Sequence, residues 1–202
     1  MQIDIHQHIW TDPLLDALAA RRTLPFVRRS NGLTVLHSAG EQPYMIDREA
    51  ESPHHRVSLV DGDGLDLAVV ALSSAIGVEA LPREEADELI DAHLEGVLAL
   101  PSWFAAWGPI ALDDQDPDDV DRLLARDCIG VCLPAGALAG PGALALSAPL
   151  LERIEARGAP LFVHPGPAPG LRAAEASLSE PLCGRSLTDY VAQMQAAWLT
   201  FA

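Results

Sequence analysis

Three observations predict an α/β architecture, a parallel sheet with helical crossovers. Short apolar runs begin near Ile3, Leu67, Phe104, Ile129 and Leu161. Stretches with helical periodicity separate most of them. Once the first long gap is set aside, the spacing approaches the ~30 residues of a βα unit. The chain of 202 residues is 49% hydrophobic and 21% charged, which is enough apolar surface for a folded core and excludes extended disorder.

In the first element, Gln2 to Trp10, Ile3, Ile5 and Ile9 alternate with polar Asp4, His6 and His8, the period of a strand. A long irregular stretch follows, with a short helix over Pro13 to Arg22 and a β-hairpin around Leu33 to Tyr44. It reads as an insertion at about residues 11–64 within one domain spanning 1–202, because it lacks a continuous apolar pattern. Leu67 to Leu72, bounded by Asp61-Gly62-Asp63-Gly64, reads as a buried strand. Pro82 to Leu98 then shows helical spacing, with proline and acidic residues in its first turn. Phe104 to Leu112 reads as a strand, and Asp116-Pro117 starts a helix to Arg126. Ile129 to Leu133 is a strand, Pro149 to Arg157 a helix stopped by Gly158, and Pro160 to His164 a strand. Between them, residues 134–149 read as an Ala/Gly/Pro-rich loop. Leu187, Tyr190, Val191, Met194, Trp198 and Phe201 form a final amphipathic helical stripe.

Composition excludes several chemistries. The balance of 13 basic against 29 acidic residues, a net charge of -16, argues against nucleic acid as a partner. Every basic residue is arginine, so a Schiff base, a Walker A lysine and a carbamylated-lysine metal bridge are excluded. Cys128, Cys132 and Cys183 form neither a disulfide framework nor a CxxC pair, which suits a reducing, cytoplasmic setting. The N-terminus lacks the pattern of a secretory signal. The uncharged run from Cys128 to Leu151 is broken by three prolines and reads as strand plus loop, with no membrane span.

Side chains alternate along a strand, so His6 and His8 share a face with Asp4 and Trp10. Two imidazoles on one rigid strand can hold a divalent metal; the alternative is a pair of hydrogen-bonded structural histidines. His164 ends the run Leu161-Phe162-Val163-His164-Pro165-Gly166 at the carboxyl end of its strand, where ligands collect in parallel sheets and barrels. It reads as a third ligand, or alternatively as a strand cap. Other polar groups have plainer readings. His93 falls on an apolar helix flank and reads as a core histidine. His54-His55 reads as a solvated doublet in a loop, and the aspartates from Asp113 to Asp121 as a helix start. Cys132 reads as a small buried hydrophobe. Arg48 could meet a substrate carboxylate or lie on the surface.

Asp4-Ile5-His6-Gln7-His8, Gly130-Val131-Cys132-Leu133 and Leu161-Phe162-Val163-His164-Pro165-Gly166 together resemble the amidohydrolase-related family of metal-dependent hydrolases and decarboxylases. The resemblance covers almost the whole chain. It implies a (β/α)8 TIM-like barrel holding one divalent metal, zinc most often and manganese otherwise, with His6, His8 and His164 as ligands. It implies Asp4 behind a ligand; Trp10, on the histidines' face, and Arg48, in the insertion near the first strand, are candidates for contact with a small-molecule substrate, and the unpaired edges of an open five-stranded sheet point to a homo-oligomer as one assembly. The expected activity is hydrolysis or non-oxidative decarboxylation of a small carboxylated compound. The family's later histidine and aspartate, after the sixth and eighth strands, have no counterparts here. About five βα units are present, which reads as an incomplete barrel. The alternatives are a short natural variant completed by association, or a non-catalytic fragment with a vestigial metal pocket.

Overall fold

The computed structural model describes residues 1–167 and 187–201; Cys183 lies outside them. Five strands form a parallel sheet: β1 (Ile3–Gln7), β5 (Leu67–Val70), β6 (Phe104–Pro109), β7 (Gly130–Pro134) and β8 (Leu161–His164), in that order. In a flat sheet the outer strands β1 and β8 would lie about 19 Å apart. Yet His8 Nε2, just past β1, comes within 3.1 Å of His164 Nε2 at the end of β8. The sheet is therefore strongly curled, an α/β half-barrel with its strand ends converging.

Strand alternation gives the sheet two faces. Ala68, Val70, Ala106, Val131 and Leu133 point outward into the main core with the helices. Val69, Ala71, Trp107 and Cys132 point inward, where Phe162 packs against them. The outer helices are α3 (Arg83–Leu98), α4 (Asp118–Ala125) and α5 (Pro141–Arg157). Pro109 closes β6, and the aspartates beyond it are structural. Arg83 at the start of α3 donates to Asp87 (2.6 Å), Asp119 (2.7 Å) and the Asp114 carbonyl (3.0 Å), and Arg153 and Arg157 engage Asp121.

The sequence-based elements needed four corrections. The insertion contains α1 (Asp12–Ala20) and then three antiparallel strands, β2 (Phe26–Ser30), β3 (Leu33–His37) and β4 (Tyr44–Ile46). The predicted hairpin is the β3–β4 pair. The additional β2–β3 turn uses Asn31 and Gly32, both at positive φ (51° and 79°), the signature of an Asn-Gly hairpin. Second, His54 and His55 lie on a helix, α2 (Pro53–Gly62), whose N-cap Ser52 accepts from the His55 backbone N–H. Third, α5 begins at Pro141, not Pro149, and carries Pro149 inside it; alanine and leucine propensity outweighs the one helical hydrogen bond that a proline removes. Fourth, α6 (Leu187–Phe201) buries Ala197, not Trp198, which is 75% exposed. Among the described residues no helix is long and apolar enough to cross a membrane.

Candidate metal centre

His6, His8 and His164 meet at the carboxyl end of the half-barrel, with one potential ligand atom from each within 4.8 Å of the others. A one-residue irregularity in the β1–β5 register between Asp4 and Gln7 sets the aim of His6, as a β-bulge re-aims a side chain. His6 Nε2 lies 3.1 Å from His8 Nε2.

The tautomers follow from the partners of the other ring nitrogens. His8 Nδ1 is 2.8 Å from the Ala71 carbonyl, and His164 Nδ1 is 2.8 Å from the Pro165 carbonyl. A carbonyl only accepts, so each Nδ1 carries the hydrogen and each neutral ring presents a bare lone pair at Nε2. Those two lone pairs face one another at 3.1 Å. Two acceptors at that distance repel unless a cation lies between them. A proton is a poor candidate. Burial, with the neighbouring His8 charge, holds His164 down at about 4. Burial likewise lowers His8, and the His6 and Arg56 charges add to it, against the Ala71 carbonyl. A divalent metal fits the donor set: bonds of about 2.1 Å to imidazole nitrogen at tetrahedral angles bring ligands to roughly 3.4 Å from one another. Anchoring a ligand's far N–H on a backbone carbonyl is a common support for a metal-bound histidine.

The other predicted residues are placed differently. Asp4 touches no imidazole by hydrogen bond. Its carboxylate accepts from the His6 backbone N–H (3.0 Å) and from Gln7 Nε2 (2.9 Å). Gln7 Oε1 in turn accepts from Arg56, which also donates to the His8 carbonyl at 2.9 Å. Asp4 thus braces the strand carrying His6 and His8. Trp10 and Arg48 share a cavity of about 290 Å³ with Glu51 and Gly96, and none of the three histidines lines it. Arg48 is paired there with Asp12, while Glu51 accepts from the Trp10 backbone N–H at 3.0 Å.

Two features were missed in the sequence. Arg56 is one, because its helix was read as loop; the Ser52-Pro53 start was the available signal. The other is the floor beneath the histidines. Trp107 and Phe162 stack with ring centroids 5.2 Å apart and planes at 16°. Phe162 also lies 5.2 Å from the His6 ring, and Trp107 donates its indole N–H to the Ile5 carbonyl at 2.9 Å. Cys132 is fully buried, and burial pushes its thiol well above the ordinary range, so it packs as a small apolar group.

By sequence, the chain matches no protein-family model and no curated protein. By structure it resembles an amidohydrolase II, with TM-score 0.58 and 15% identity over 82% of this chain and 51% of that one. It also resembles 5-carboxyvanillate decarboxylase from Sphingomonas paucimobilis, with TM-score 0.61 and 19% identity over 99% of this chain and 62% of that one. At such identities the likeness speaks for the fold. The fold is therefore the one the residue motifs anticipated, part of a TIM-like α/β barrel, present here as a parallel five-stranded half-barrel. The chain spans about half to three-fifths of the length of these two proteins.

Proposed function

We propose that His6, His8 and His164 hold one divalent metal, zinc or manganese, and that the site serves hydrolysis or non-oxidative decarboxylation of a small carboxylated substrate. The observation that carries this reading is the convergence of imidazole lone pairs whose tautomers are fixed by the Ala71 and Pro165 carbonyls. When bound, such an ion supplies Lewis-acid polarisation of a substrate oxygen and activation of water.

The protein's own part is positioning. Ala71 and Pro165 fix the ring orientations, Asp4 and Arg56 hold the strand end, and the Trp107–Phe162 stack lies against the His6 ring. The fold likeness to both a hydrolase-type protein and a decarboxylase supports the general class of reaction and leaves both reactions within it. A non-catalytic, metal-binding chain is the second reading. It is favoured by one observation: among the described residues the group of side chains placed to hold a metal consists of the three imidazoles, with no carboxylate among them.

The test is the metal content of the purified chain by elemental mass spectrometry after incubation with zinc or manganese, beside the His6→Ala/His8→Ala variant. About one equivalent per chain, lost in the variant, is expected. A folded wild-type chain that takes up no metal overturns the proposal.

A further inference from the structure

Glu79 lies in the turn Val78–Ala80 between β5 and α3, and it is 0% exposed. Ser74 donates its hydroxyl to Glu79 Oε1. Glu79 Oε2 has no hydrogen-bond partner among the described residues, and no salt bridge reaches the carboxyl there. A buried carboxylate without a cation is costly, whereas a protonated carboxyl is tolerated. Burial pushes this one up to about 7, opposed chiefly by the Ser74 hydroxyl.

The pair joins the four loops at the mouth of the half-barrel. Ser74 and Glu79 both belong to the β5 loop. The Glu79 carbonyl accepts from the Leu112 N–H at 2.7 Å, in the loop after β6. Ser74 presses on the loop after β8: a Cβ built on Gly166 would sit 2.6 Å from Ser74 Cβ and 2.7 Å from the Cβ of Pro134, at the end of β7. Gly166 O also accepts from Gly136 N–H at 3.2 Å. Gly166 is two residues beyond His164, and Pro165 between them supplies the carbonyl that fixes the His164 ring. The β5 loop reaches the second ligand too, through the Ala71 carbonyl on His8.

We propose that Glu79, acting through Ser74, is a positioning residue that seats the β5 loop against the β8 loop and so sets His164 and His8 at metal-binding separation. The proposal rests on the metal reading above. A buried acid that touches no ligand thereby keeps the Ser74 side chain lodged in the space that Gly166 leaves open.

The test is isothermal titration of zinc into the wild-type chain and the Glu79→Ala, Glu79→Gln and Ser74→Ala variants, well below their melting temperatures. Side-chain NMR of the histidine ring nitrogens without metal accompanies it. Glu79→Ala is expected to weaken zinc about 10- to 100-fold, as loss of outer support does at other metal sites, and to shift the His164 ring resonances. Glu79→Gln, neutral and able to accept from the Ser74 hydroxyl through Oε1, is expected to restore both to wild-type values, and Ser74→Ala to weaken binding in the same direction as Glu79→Ala. If Glu79→Ala does not fold, the glutamine and Ser74 variants decide. Wild-type affinity in all variants, or a glutamine variant as weak as the alanine, overturns the proposal. If wild type itself binds no zinc, the metal reading fails separately; the His164 resonances then decide, and their insensitivity to Glu79→Ala overturns the positioning role.

Discussion

Replacing His93 with leucine should make the chain more resistant to acid, by an amount that follows from where the ring sits. His93 is on the inner face of α3, 1% exposed, and neither ring nitrogen has a hydrogen-bond partner among the described residues. Burial, with the His8 charge behind it, holds its pKa at about 3 against 6.5 for the free side chain. The folded state therefore refuses a proton that the unfolded chain accepts. The stability that depends on neutral His93 is fully present above pH 6.5 and is lost as pH falls toward about 3. At pH 5 the unfolded ring is nearly all protonated and the folded ring hardly at all, a difference on the order of 2 kcal/mol. Leucine, close in volume, removes the titration and two unpartnered nitrogens, worth about 1 kcal/mol at pH 8. Urea unfolding followed by circular dichroism with chelator present, at pH 8 and pH 5, measures both effects. The stability gap between His93→Leu and wild type should widen by about 2 kcal/mol on going from pH 8 to pH 5. The other titrating groups are common to both proteins and drop out of the comparison. A gap unchanged between the two pH values would refute the reasoning, because it would mean that His93 takes up a proton in the folded chain as readily as in the unfolded one.

Two further outcomes follow from the packing and from the brace on β1. Gly130→Ala puts a Cβ 2.4 Å from the Pro160 carbonyl oxygen and 2.7 Å from the Trp107 ring; because the backbone cannot yield cheaply, a loss of about 1–3 kcal/mol is expected in chemical denaturation. Arg56→Ala removes the donors to Gln7 Oε1 and the His8 carbonyl, and zinc affinity by calorimetry should fall about 10-fold or more while the circular dichroism spectrum stays that of the folded chain.

The sheet was legible because each of its strands is written locally, as a short apolar run with a turn on either side. Its carboxyl-end histidines were legible for the same reason: residue order fixes their place on the strand. Contacts between distant segments were hidden. Nothing in Asp4-Ile5-His6-Gln7-His8 shows that the imidazoles would be steered by the carbonyls of Ala71 and Pro165, since any residue supplies a carbonyl. Helix α2 has almost no amphipathic pattern, burying only Val60 within its ten residues, so periodicity could not reveal it and its Ser-Pro start was the sole local sign. Pro149 misled in the opposite way: a breaker by intrinsic preference was overruled by the helix formers on either side. Arg48 illustrates the limit for charge. A guanidinium free in the sequence is already neutralised by Asp12 in the fold.

The carbonyl anchors on His8 and His164 carry a further consequence. A ligand orientation enforced by a neighbouring aspartate can be erased by one codon change. One enforced by the main chain survives every substitution at the anchoring position that leaves the loop's path intact. The carbonyl that meets the His8 ring belongs to residue 71 by position, and the buried Ala71 side chain matters to that contact through the packing that fixes the loop's path. The side chains at positions 71 and 165 thus bear on the two rings only through the path they give the main chain.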